Sequence, residues 1–241
     1  MRYQKLDAHR WLALVGMILF HLNYILENVF HTVDLQFLDT FWFILGRSVA
    51  LIFILVSGIS FFLSAEKNSS QIVRKGIKRF LILGTVAALI SVVTYIFFYE
   101  QRISFGIIHF FALVSLLALL FTRLGSWNIL IGMSIIVIGN YMWRFPLHTS
   151  FLIPFGLHPA DYYSADYYPL FPWFGYYLIG FGVAHWLVNR WLFDRIFLGT
   201  FFGIRPLSYI GKHALFFYVI HVPIIYAILS IFYWALSYFD K

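Results

Sequence analysis

Arg10 and His21 stand eleven residues apart, which is three turns of an α-helix with a drift of only about 20°. On one helix they share a face and are separated by about 16 Å along the axis. A guanidinium is charged at every accessible pH and suits phosphate. An imidazole exchanges a proton near pH 7. A long ligand with phosphates at one end and a reactive group at the other fits that line. The spacing alone is a weak signal, because both residue types are common.

Arg47, His109 and His221 also fall inside apolar stretches. An ionisable group at membrane depth costs about 2.5 kcal/mol or more, so each is a functional candidate. Each has a structural reading too. A neutral histidine can pack between helices against a backbone carbonyl, and Arg47, flanked by small Gly46 and Ser48, can snorkel to headgroups or meet an internal anion. His221 precedes Pro223, which loosens a helix locally. His31 lies between Glu27 and Asp34 and reads as a solvated loop histidine. No metal cage follows from these residues, and the chain has no cysteine. It has no glycine-rich nucleotide loop, no nucleophile elbow and no basic–aromatic surface for RNA.

The elements that must carry these residues follow from composition. The 241 residues are 62% hydrophobic and 22% aromatic, and only 11% are charged. A soluble domain carries about a quarter charged residues. The apolar excess needs lipid to face. Runs long enough to qualify as spans cover 11–29, 41–64, 77–98, 104–122, 127–143, 169–188 and 214–238. The first is preceded by a charged start without a cleavage site and reads as a retained helix. No alternating ten-residue strands occur, which argues against a β-barrel. The stretch 191–205, broken by Asp194 and Arg195, is expected along the cytoplasmic interface.

Charge sets the direction. With the N-terminus inside, the inner segments hold Arg2, Lys5, Arg10, Lys67, Arg74, Lys75, Lys78, Arg79, Arg123, Arg190, Arg195, Arg205 and Lys212, thirteen of the 17 basic residues. The outer segments hold Arg102, Arg144 and Lys241 against the acids Glu27, Asp34, Asp39, Glu100, Asp161, Asp166 and Asp240. This is the positive-inside pattern, and it explains the net charge of +7 without nucleic acid. The sequon Asn68-Ser69-Ser70 falls on the cytoplasmic side and is discounted. The expected fold is therefore all-α, a polytopic membrane bundle of about seven transmembrane helices in one domain, with the N-terminus cytoplasmic and the C-terminus outside. His21 is expected near the midplane, Arg47 and His109 roughly 8–10 Å below the outer surface, and His221 in the inner half. The long outer loop 144–168, rich in Pro, Tyr and Phe, reads either as interface anchors or as a structured lid.

Six groups of motifs stand in order along the chain. Those motifs are Leu6-Asp7-Ala8-His9-Arg10 with Phe20-His21, Gly46-Arg47-Ser48-Val49-Ala50 with Val56-Ser57-Gly58-Ile59-Ser60, and Arg74-Lys75-Gly76 with Lys78-Arg79. They continue with Ile103-Ser104-Phe105-Gly106-Ile107-Ile108-His109, then Asp166-Tyr167-Tyr168-Pro169-Leu170 with Pro172-Trp173-Phe174-Gly175. The last are Gly211-Lys212-His213 and Tyr218-Val219-Ile220-His221-Val222-Pro223. In this order they resemble the membrane acyltransferases related to the catalytic domain of heparan-α-glucosaminide N-acetyltransferase, and the likeness covers nearly the whole chain. Three positions depart from it: Trp11 stands where the family usually has Gly, Ile25 where it often has Asp, and Val222 where it usually has Gln.

The resemblance implies acetyl-CoA or another acyl-CoA as donor on the cytoplasmic side, with no metal. The acceptor would be a hydroxyl or amine of an extracytoplasmic glycan or lipid headgroup. On this reading His21 is the general base, and Arg47 and His109 complete the catalytic chamber. Arg10, Lys78, Arg79 and Lys212 hold the donor's phosphates, while Asp166, Trp173 and His221 line the acceptor side. The partners are membrane lipids and the acceptor, with self-association left open and a bacterial-type plasma membrane as the location. Two rival classes are a small-anion transporter and a non-catalytic membrane protein on the same scaffold. A carrier often shows an internal repeat, and none is visible here.

Overall fold

A computed structural model describes residues 3–32, 36–67, 69–145, 149–198 and 204–239. Arg2, Asp34, Asn68, Asp240 and Lys241, together with 146–148 of the long loop and 199–203 of the interfacial stretch, lie outside the described residues.

Among the described residues the chain is helical, as the apolar runs require. The helices are α1 (Gln4–Asn28), α2 (Asp39–Lys67), α3 (Ile72–Phe97), α4 (Ile107–Leu120), α5 (Trp127–Met142) and α6 (Leu170–Asn189). The short α7 (Phe193–Phe197) and α8 (Ile204–Lys212) then lead into α9 (Ala214–Phe239). Each expected run lies on a helix. Four of them, α1, α2, α3 and α9, are long and apolar enough to cross a membrane. At 1.5 Å per residue, the 14 residues of α4 and the 16 of α5 reach about 21 and 24 Å, short of a hydrocarbon core of about 30 Å.

The described residues gather into two compact units, 1–56 with 193–241 and 57–192. In the first, α1 packs on α7, α8 and α9. Its start is fastened by the Tyr3 hydroxyl donating to Asp194 at 2.7 Å and by Lys5 Nζ donating to the Ile196 carbonyl at 2.9 Å. Gly211 of α8 rests against the Asp7 backbone, where any Cβ would strike the Asp7 carbonyl. The same helix pair meets further along. His21 touches His221, the Phe30 ring stacks on Tyr233 at 5.0 Å, and the Tyr233 hydroxyl reaches Thr32. Higher numbers on α1 face higher numbers on α9, so the two helices run in the same direction.

In the second unit α3 packs on α4, and α5 packs on α6. The α5–α6 seam is built from small residues. A Cβ on Gly132 would come within 2.5 Å of the Gly175 carbonyl oxygen, and one on Gly139 within 2.8 Å of Pro172. Such backbone contact is how helices gain van der Waals attraction where lipid removes any hydrophobic drive. Many large apolar side chains of α3 and α9 point outward, including Leu81, Leu89, Ile96, Ile228 and Trp234. A surface of this kind suits lipid and not water.

Candidate active site

His21 belongs to the face of α1 that meets α9. Its Nδ1 lies 2.9 Å from the Met17 carbonyl, one turn back, and 3.2 Å from His221 Nε2. The two rings meet edge to face, with centroids 4.8 Å apart. His221 is buried at 6% exposure, and its Nδ1 lies 2.6 Å from the Tyr218 carbonyl. The spacing of Arg10 and His21 therefore rests on one continuous helix, and a second helix supplies a second imidazole beside the first.

Arg47 rises from the turn of α2 that packs on α1 at this level. Gly46 lies under the Phe20 ring, which itself meets the His21 ring edge-on at 5.3 Å. The Arg47 guanidinium sits 5.3 Å from the Phe43 ring centroid, a cation–π contact.

At the start of α1 the buried Asp7 carboxylate accepts from Arg10 Nη1 at 2.5 Å and from Ser208 Oγ at 3.5 Å. Arg10 is thus aimed by Asp7. Lys212, exposed at the end of α8, follows the Gly211 that abuts Asp7, so both cations mark the same end of this unit. Next to them, burial and the bond to Asp194 push the Tyr3 phenol up to about 12. In the other unit Arg74, Lys75, Lys78 and Arg79 are exposed on the first turns of α3. Among the described residues no three of His, Asp and Glu come together to hold a metal ion.

Helix α4 begins at Ile107, not at Ser104, because Phe105 pairs with Tyr167 of the long loop as an isolated parallel bridge. His109 therefore falls in the first turn. Ser91 donates its hydroxyl to the Ile103 carbonyl at 2.7 Å and so accepts from His109 Nε2–H at 3.0 Å. The Gly106 N–H donates to His109 Nδ1 at 3.2 Å. Both ring nitrogens are occupied in ordering this helix end, and a base needs one lone pair aimed at its substrate.

Asp166 completes the same corner. Its Oδ2 accepts the Ile107 N–H at 2.9 Å, placing a carboxylate at the positive end of α4. Ser164 ties the loop down, donating to the Asp166 carbonyl at 2.7 Å and accepting from the Ser104 N–H at 3.2 Å. Within the described part of the loop, His158, Tyr162 and Tyr167 form one aromatic cluster, joined by Trp143 at the end of α5. Burial pushes the Tyr162 and Tyr167 phenols up. Trp173, buried at 6% exposure, packs on the rings of Tyr168 and Tyr176. The described part of the loop packs within its own unit.

Of the residues singled out from the sequence, the structure joins His21 with His221, Arg10 with Asp7, and His109 with the corner that Asp166 caps. Two features do not follow from spacing along the chain: the buried Asp7 carboxylate behind Arg10, and the nearness of His221 to His21.

The family model described as "Heparan-alpha-glucosaminide N-acetyltransferase, catalytic" matches residues 2–223 of the chain. No curated protein and no solved structure matches it.

Proposed function

This chain belongs to the heparan-alpha-glucosaminide N-acetyltransferase catalytic family, and on that premise we propose that it moves an acyl group across a membrane. The donor is a cytoplasmic acyl-CoA, acetyl-CoA by family likeness. The acceptor is a hydroxyl or amine on an extracytoplasmic glycan or lipid headgroup. The observation that carries the reading is the parallel pairing of α1 and α9. It sets Arg10 and Lys212 at one end and the His21–His221 contact about three helical turns deeper along α1. Phosphates at the cationic end and a thioester near the imidazoles match the length and polarity of such a donor.

In this mechanism His21 takes the acceptor's proton as the acceptor oxygen or nitrogen attacks the thioester carbonyl. Arg47, on the neighbouring turn of α2, offers positive charge to the oxyanion that forms. His21 then returns the proton to the departing sulfur, so coenzyme A leaves as a thiol and the acyl group stays on the acceptor. Arg10, aimed by Asp7, and Lys212 hold the phosphate end, with Lys78 and Arg79 of α3 as further basic candidates. Asp166 and Trp173 act on the acceptor side by ordering the loop corner. The proposed topology is seven spans with the N-terminus cytoplasmic, in which α4 and α5 cross with help from their flanking turns.

The test is turnover. Purified protein in lipid, given acyl-CoA and an amine or hydroxyl acceptor, should release coenzyme A and acylate the acceptor. Absence of both thioester cleavage and acyl-CoA binding would defeat the proposal.

A further inference from the structure

The tautomers of the two facing imidazoles follow from what surrounds them. A carbonyl oxygen can only accept, so the His21 Nδ1 facing the Met17 carbonyl at 2.9 Å must carry the hydrogen. The same holds for His221 Nδ1 against the Tyr218 carbonyl at 2.6 Å. A neutral imidazole has one hydrogen, so His221 Nε2 is a bare lone pair. It stands 3.2 Å from His21 Nδ1–H, with the rings near perpendicular at 77°. That N–H is therefore shared between two acceptors, the Met17 carbonyl and His221. The remaining nitrogen of His21, Nε2, is left with its lone pair.

We propose that His221 is a positioning residue for His21: its Nε2 accepts the His21 Nδ1–H, fixes the ring, and leaves Nε2 as the nitrogen that reacts. This inference rests on the acyltransferase reading for its kinetic meaning. His221 takes up no substrate proton and binds no acceptor, because both of its nitrogens are spent inside the bundle. When His21 gains a proton at Nε2, its Nδ1–H becomes a charge-assisted donor to an acceptor already in place. Among the described residues no carboxylate bonds His21. A neutral imidazole does the orienting work that an acid performs in other His-based sites, and adds no second charge at membrane depth. Ile25, one turn beyond His21 and buried, leaves that side of the helix apolar.

The test has a spectroscopic and a kinetic arm. Full-length protein carrying 13C,15N-histidine is measured in lipid by solid-state NMR, with His21→Gln and His221→Gln assigning the two rings. Both rings should report the Nδ1–H tautomer, the minority form for free histidine. An Nε2–H tautomer at His21 overturns the proposal, whether or not the protein turns over acyl-CoA. In the kinetic arm, His221→Gln places an oxygen acceptor where Nε2 stood and should keep kcat within about fivefold. His221→Leu should lower kcat by about ten- to a hundredfold, the usual scale for losing an orienting partner, with KM for acyl-CoA unchanged. Full kcat in His221→Leu, or equal loss in both variants, overturns the positioning role. If the wild type itself shows no transfer, the functional reading fails and the tautomers still decide the inference.

Discussion

The Tyr233 hydroxyl of α9 donates to Thr32 Oγ1, just beyond the end of α1, at 2.8 Å. With His221 beside His21 and Gly211 against Asp7, this contact gives the two helices a common direction. Two spans that run the same way must be separated by an odd number of crossings. The seven-span reading places five between them. Reporter fusions at positions 70 and 123 should therefore be cytoplasmic, and fusions at 101 and 155 external. A cytoplasmic signal at 155 would overturn the proposed topology.

His21→Ala should lower turnover by at least about a hundredfold, the scale expected for removing a general base. His109→Ala should act differently, lowering thermal stability through the α4 corner while the folded fraction keeps its turnover. Activity per folded molecule separates the two. Full activity in well-folded His21→Ala, with loss in His109→Ala, would move the base to α4.

Lys212→Ala and Arg79→Ala, made singly, should each weaken coenzyme A binding measured by calorimetry or ligand competition. The loss should shrink as salt is raised, because both side chains are exposed and their charges are screened. Unchanged affinity in both variants would place the phosphate end elsewhere.

Asp166→Ala removes the carboxylate from the first N–H of α4 and should cost about 1 kcal/mol, seen as a lower melting temperature. Asp166→Asn keeps an acceptor and should lose only the charge–dipole part, about 0.3–1 kcal/mol. Equal melting temperatures for wild type and Asp166→Ala would mean that the corner is held by the neighbouring Ser164 bonds.

Tyr3 provides a pH test at the start of α1. Its phenol is pushed up to about 12 by burial and by the bond to Asp194, above the ordinary value near 10. A raised phenol pKa means the fold favours the protonated form. The stabilisation is complete below about pH 10 and is lost as pH rises through about 12. The difference in phenolate absorbance between wild type and Tyr3→Phe should accordingly develop near pH 12. A difference centred near pH 10 would mean that Tyr3 is not held.

Much of the fold was legible because hydrophobic length is a local property. The runs 127–143 and 214–238 became Trp127–Met142 and Ala214–Phe239. Helix α1 began earlier than its run, at Gln4, because polar residues continue a helix as readily as they end a span. The site was harder to read. The pairing of Arg10 with His21 follows from spacing on one helix, but the pairing of His21 with His221 depends on which helix lies alongside and how each is rotated. Nothing within a few residues of either histidine encodes that. His109 shows the same limit: it stands in the first turn of α4, and the carboxylate that caps that turn comes from Asp166, 59 residues beyond Ile107.

The separation of His21 and His221 by 200 positions has a consequence for biogenesis. The first helix is made early and the ninth late, and at about 5–20 residues per second their synthesis is separated by roughly 10 to 40 seconds. During that interval α1 waits in or at the bilayer with His21 lacking its imidazole neighbour and Asp7 lacking Ser208. The unit they form cannot assemble vectorially from the ribosome. It closes only when the last long helix arrives, so a premature stop anywhere before α9 yields an orphaned first span, a natural target for membrane quality control.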